Sequence, residues 1–128
     1  MPMYSLSLER AFSAQHFLIG GDWGAENLPH AHPYRIELRL EGSTLDPNGY
    51  LVDLVEVERL LDEQVHHVRD RTLNDLPAFA GINPSLEHFA RIVGQDLVAS
   101  LKGARLTSVE VRIWESEAAS ASYRTDLR

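Results

Sequence analysis

From Tyr34 to Glu41 apolar and polar residues alternate: Tyr34, Ile36, Leu38 and Leu40 interleave with Arg35, Glu37, Arg39 and Glu41. A period of two is the mark of a strand with one buried face. An earlier segment repeats it, with Leu6, Leu8, Phe12, Ala14 and His16 on one parity and Arg10 as the single interruption. Two more alternating segments close the chain, from Thr107 to about Glu115 and from Ala119 to about Asp126. Between the two pairs the period becomes helical. Leu54, Val57, Leu60, Leu61, Val65 and Val68 trace one stripe behind Asp53, which stands three residues before Glu56 in the spacing of a capping box. Leu86, Phe89, Ala90, Val93, Leu97 and Leu101 trace a second stripe, opening at Asn83-Pro84-Ser85 with Pro84 suited to the first helical position. Pro47-Asn48-Gly49 is turn chemistry, and Leu73-Asn74-Asp75-Leu76-Pro77 is a loop between the helices.

The order β-β-α-α-β-β predicts an α+β domain, a four-stranded antiparallel sheet with two helices on one face. No linker, repeat or low-complexity tract divides residues 1–128, so a single domain is expected. A four-stranded sheet leaves two open edges, and pairing with other copies is an economical way to cover them. The expectation is a homo-oligomer.

Composition narrows the chemistry. The absence of cysteine removes disulfides, thiolate metal ligands and thiol nucleophiles. A formal charge of -7 argues against nucleic-acid binding, which rests on neutralising phosphates with Lys and Arg. No apolar run approaches the ~20 residues that span a bilayer, and no charged-then-apolar leader is legible. No membrane partner and a cytoplasmic location are expected.

His30 and His32 lie two apart and continue the parity of the apolar residues Tyr34 and Ile36, so both imidazoles project to the covered side. His16 ends the apolar side of the first strand in the same way. Three neutral imidazoles that leave a fourth position open are what a catalytic zinc ion requires. The ordinary alternative is three satisfied strand-end histidines. Glu115 follows Val109, Val111 and Ile113 on one parity, bringing a carboxylate to the covered face, where it needs a partner. Either a ligand with adjacent N–H donors or an internal arginine would supply one.

Taken in order and spacing, Phe12-Ser13-Ala14-Gln15-His16, His30-Ala31-His32-Pro33-Tyr34, Gly49-Tyr50-Leu51-Val52-Asp53-Leu54, Leu73-Asn74-Asp75, Pro84-Ser85-Leu86-Glu87-His88 and Trp114-Glu115-Ser116 carry a resemblance. The chain resembles the 6-pyruvoyl-tetrahydropterin synthase and 6-carboxytetrahydropterin synthase family over nearly its whole length. The resemblance implies the tunnelling fold, assembly as a homo-hexamer (a dimer of trimers) and substrate sites between subunits. It implies that His16, His30 and His32 bind Zn2+, that Glu115 with the adjoining Ser116 grips a pterin, and that the substrate is 7,8-dihydroneopterin triphosphate or a close relative.

Two departures from the family pattern bear on the reaction. Where the family commonly has a catalytic cysteine four residues before the histidine pair, this chain has Glu26. Counting back from Leu73-Asn74 places Arg69 and Asp70 where the family has Asp-His, with His67 the nearest histidine able to substitute after a shift of register. Glu26, Asp70 and His67 are therefore the catalytic candidates. A carboxylate is a weaker base than a thiolate, with an ordinary pKa of about 4.3 against about 8.5. It suits removal of an oxygen-bound proton better than a carbon-bound one. The resemblance implies a zinc-dependent pterin synthase or lyase forming a 6-pyruvoyl or 6-carboxy product, and retro-aldol cleavage through Glu26 to 6-hydroxymethyl-7,8-dihydropterin, as in a folate-synthesising branch of the family, is the alternative. A protein that binds zinc and pterin without turnover is the competing expectation. Gly24, His30, His32 and Glu37 also resemble the first metal motif of cupins, but the two helices and the opposite parity of Glu37 argue against that fold.

Overall fold

The computed structural model describes residues 2–101 and 104–127. Strands β1 (Tyr4–His16), β2 (His30–Gly42), β3 (Ser108–Trp114) and β4 (Ser120–Asp126) form one sheet in the order β1-β2-β3-β4. Every neighbouring pair is antiparallel. The long connection between β2 and β3 holds both helices, α1 (Leu54–Val68) and α2 (Leu86–Ser100). Short 3-10 turns occupy Gly24–Asn27, Leu73–Asp75 and Pro77–Phe79. The α+β architecture expected from the periodicities is the one observed.

Register explains why one face is dry. Leu38 pairs with Leu8 on one side and Val111 on the other, and Val111 pairs in turn with Tyr123. These rows lie beneath α1, which packs on β1, and α2, which lies across β3 and β4. Gly94 permits the close approach of α2: a Cβ there would stand 3.2 Å from the Tyr123 ring. The opposite face carries Glu9, Arg35, Arg39, Glu41 and Arg124 in exposed ion pairs, which keep it hydrated and contribute little to stability. Arg10, the interruption in β1, reaches α1, where its guanidinium donates to Asp62 at 2.7 Å and Glu58 at 3.3 Å. Among the described residues no helix is long and apolar enough to cross a membrane.

Several boundaries differ from the periodicity. Asp53 caps α1 by accepting from the Val55 and Glu56 amides, but the Glu56 side chain turns to Arg59 instead of closing a capping box. Leu54 is 40 % exposed, because the first helical turn overhangs the core edge. Pro84 is not the first helical residue. Ser85 is the cap, its hydroxyl accepting the His88 amide at 3.1 Å, and Pro84 precedes it, buried at the helix entrance. The last strands are each trimmed to exclude Glu115 and Ala119, whose backbone bond of 3.2 Å closes the β3–β4 connection.

Phe89 joins the helices to the open end of the sheet, meeting Phe12, Tyr34 and Phe79 edge-on at centroid distances of 6.0, 5.4 and 5.6 Å. It is 1 % exposed. Phe89→Ala should lower unfolding free energy by about 3–5 kcal/mol, measured by denaturant titration of the metal-free protein.

Candidate functional site

The β1–β2 register sets His16 opposite His30 and Ala14 opposite His32, so all three imidazoles emerge on the covered face where the sheet opens. Their ring centroids are 4.6 Å apart for His16–His30, 4.6 Å for His16–His32 and 5.0 Å for His30–His32. One nitrogen from each lies within 4.8 Å of the others. The His30 Nδ1 is 2.8 Å from the Leu28 carbonyl, which can only accept, so the proton sits on Nδ1 and the Nε2 lone pair is free. The His16 Nδ1 is 2.7 Å from the Tyr34 hydroxyl, which leaves its Nε2 available too. Burial, reinforced by the neighbouring His32 and His30, lowers the His16 pKa to about 4. At neutral pH it is the uncharged imidazole a metal needs. The donor set fits zinc: three nitrogen ligands, and a side left open to the cleft.

That cleft encloses about 310 Å³, and its other walls are Leu18, Glu26, the Pro84–Glu87 entrance of α2, and Glu115. Three carboxylates, Glu26, Glu87 and Glu115, thus surround the imidazoles, and among the described residues neither Lys nor Arg lines the space. Glu115 is half-buried and makes no ion pair among the described residues. It also borders a second hollow of about 340 Å³ with Pro33, Tyr34, Arg35, Trp114, Ser116 and Glu117, where the Arg35 guanidinium lies 4.0 Å over the Trp114 ring. Ser116 is exposed and accepts the Ala118 amide, so it faces this second hollow rather than the cleft. Burial, with the nearby Glu115 charge, raises the Tyr34 pKa and keeps the phenol protonated.

His67 and Asp70 lie elsewhere within the chain. His67, with His66 and Arg71, borders an open groove of about 610 Å³ along α1, larger than the cleft but without its imidazole cluster. Asp70 has φ of 58° just beyond the α1 C-terminus, and its amide bonds the Ser13 carbonyl at 2.7 Å. The Gln15 amide in turn donates to the Arg71 carbonyl at 2.8 Å, so residues 70–72 run along the edge of β1 that β2 does not cover, and neither Asp70 nor His67 lines the histidine cleft. Of the three catalytic candidates, this chain brings only Glu26 to its own histidine cleft.

What holds Glu26 there is a set of asparagine side chains. The Asn74 amide pairs with both backbone groups of Phe17, at 3.0 and 2.9 Å, and Asn83 does the same to Ile19 at 2.7 and 3.2 Å. Asn27 donates to the Leu18 and Gly21 carbonyls, and the Leu18 amide bonds the Glu26 carbonyl at 2.8 Å. Two asparagines thereby replace the missing neighbour strand for residues 17–19. Their polar identity amid apolar segments was the available signal, but the pairing spans 57 and 64 residues. Asn83→Ala removes two such bonds at about 1 kcal/mol each. The Ile19 amide should then exchange about 10-fold faster or more in hydrogen-exchange measurements, with helix α1 unaffected.

The sequence profile of the 6-pyruvoyl tetrahydropterin synthase family matches residues 5–126. The chain belongs to that family. It is 28% identical to the 6-carboxy-5,6,7,8-tetrahydropterin synthase of Bacillus subtilis (strain 168), in an alignment over 128 residues that covers 94% of this chain and 85% of the relative. The solved 6-pyruvoyl tetrahydropterin synthase of Caenorhabditis elegans superposes with a TM-score of 0.84 at 24% identity, covering 98% of each chain. A Plasmodium vivax 6-pyruvoyltetrahydropterin synthase, solved with a catalytic glutamate replaced by alanine, superposes with a TM-score of 0.80 at 17% identity over 99% of this chain and 100% of that one. These likenesses establish the synthase fold for the whole described sheet and both helices. The histidine cleft lies at the open end of that fold's β1–β2 ladder.

Proposed function

We propose that this synthase-family chain is a zinc-dependent lyase acting on 7,8-dihydroneopterin triphosphate and releasing 6-hydroxymethyl-7,8-dihydropterin. The observation that carries the reading is the presence of Glu26, and no thiol, in the wall of the cleft that holds His16, His30 and His32. The Plasmodium vivax relative supports it, since a glutamate is named as catalytic in that protein.

His16, His30 and His32 would hold the metal, each through one neutral nitrogen. Zinc, when bound there, supplies Lewis acidity that makes a substrate hydroxyl easier to deprotonate. Glu115 accepts paired N–H donors of the pterin ring and so orients the side chain toward the imidazoles. Glu26 takes the proton from the hydroxyl on the second side-chain carbon. As that carbon becomes an aldehyde, the bond to the first carbon breaks and its electron pair moves into the adjacent C=N bond of the dihydropterin. The first carbon is then reprotonated, and the triphosphate leaves on the two-carbon aldehyde.

Asp70 and His67 fit this scheme only from a neighbouring copy, because neither lines the cleft of its own chain. The β4 edge, and the β1 edge outside Ser13–Gln15, where residues 70–72 cover it, make such copies expected, and a homo-hexamer built as a dimer of trimers is the assembly proposed. A soluble, cytoplasmic enzyme is the matching cellular reading.

The test is to incubate the zinc-loaded protein with 7,8-dihydroneopterin triphosphate and identify products by mass spectrometry and pterin fluorescence. A 6-hydroxymethyl product with a triphosphorylated two-carbon aldehyde is expected. A 6-pyruvoyl or 6-carboxy product overturns the retro-aldol assignment, and tight pterin binding with no product makes the chain a binding protein.

A further inference from the structure

His16 differs from His30 in how its second nitrogen is held. His30 is anchored by a backbone carbonyl, that of Leu28, whereas His16 is anchored by a side chain, the Tyr34 hydroxyl at 2.7 Å from Nδ1. Tyr34 is itself fixed. It is 3 % exposed, stacked on Phe12 at a centroid distance of 5.5 Å and met edge-on by Phe89 at 5.4 Å. The ring contacts set where the hydroxyl sits, and the hydroxyl then sets which nitrogen of His16 turns toward the other two imidazoles.

We propose that Tyr34 is a positioning residue for the metal site, its hydroxyl holding His16 Nδ1 so that Nε2 is presented to an ion shared with His30 and His32. The inference rests on the reading that these three histidines bind a metal. A neutral imidazole that coordinates through Nε2 must carry its proton on Nδ1, and in a buried position that N–H needs an acceptor. The Tyr34 oxygen is that acceptor. Without it the N–H is stranded against an aromatic ring, and the imidazole gains by turning over or leaving the ligating orientation. His16 is 7 % exposed, so water is a poor substitute.

Tyr34→Phe isolates the effect, because it deletes one oxygen and keeps the ring contacts with Phe12 and Phe89. The full chain, stripped of metal, is titrated with Co2+ in competition with a chelator while the visible absorption of the bound ion is followed. The wild type is expected to bind one ion per chain, and Tyr34→Phe to bind about 10- to 100-fold more weakly with an altered spectrum. Phe12→Leu, which disturbs the same packing without touching the hydroxyl, should stay within a few-fold of the wild type. Equal affinity and spectrum in Tyr34→Phe and wild type would overturn the positioning role, as would an equal loss in Phe12→Leu. If the wild type takes up no more Co2+ than His32→Ala, the metal reading fails and the inference falls with it.

Discussion

His30→Ala is expected to remove both metal binding and turnover. One of its ring nitrogens is among three that approach one another within 4.8 Å, and the opposing pair His16–His30 closes the β1–β2 ladder. Losing one of three ligands leaves a pair that cannot define a site against competing water. The expected loss in turnover is at least about three orders of magnitude, since Lewis-acid stabilisation contributes several kcal/mol to the transition state. The fold should survive, because the ring is only half-buried and sits beyond the core aromatics. Zinc content by atomic emission and product formation from 7,8-dihydroneopterin triphosphate read the result. A variant that keeps both would remove the histidine cluster from the mechanism.

Glu26→Gln is expected to separate chemistry from binding. The amide has the size of the carboxylate and keeps the Leu18–Glu26 backbone bond that pins the segment, but it cannot take a proton. Turnover should fall by about 10²–10⁴-fold, the usual contribution of a general base. Zinc content and pterin affinity should stay near those of the wild type, because the imidazoles and Glu115 are untouched. The pattern to look for is a large drop in kcat with little change in KM. Unchanged turnover would leave Glu26 as a wall of the cleft and move the base to another group, with Glu87, which also lines the cleft, the next to test.

The two variants address a cleft whose polar groups are unevenly arranged. Three carboxylates and three imidazoles converge, and among the described residues no Lys or Arg lines the space. A divalent cation is what that assembly lacks electrostatically, and the acidic walls strengthen its attraction. A triphosphate, by contrast, finds no Lys or Arg among the described residues that line the cleft of one chain. In the proposed hexamer the phosphate partners would be residues of adjoining copies, consistent with His67 and Arg71 lying on an exposed groove instead of facing inward.

Much of this molecule is local in origin and for that reason legible in sequence. Side chains two apart on a strand share a face, so the alternation from Tyr34 to Leu40 specifies the dry side of β2, and the same parity carries His30 and His32 to it. Asp53 caps α1 as its spacing requires. Arg10 broke the pattern of β1 because its partners, Asp62 and Glu58, are on a helix about fifty residues away. Where an element begins was less legible: Pro84 satisfies the first helical position, yet the Ser85 hydroxyl and the buried path of the chain moved the cap one residue on.

The sequence by itself determined the order of strands and helices, the face on which the three histidines emerge, and the absence of any thiol from the chain. Each follows from backbone periodicity or residue identity, which need no knowledge of distant neighbours. Only the tertiary structure decided that Glu26 joins the histidines while His67 and Asp70 do not. It alone revealed that Asn74 and Asn83 stand in for a strand, and that Tyr34, read in sequence as core, also holds His16. Those outcomes depend on how loops travel and which strands meet in register, and such contacts are set by packing of the whole chain, which no local pattern encodes.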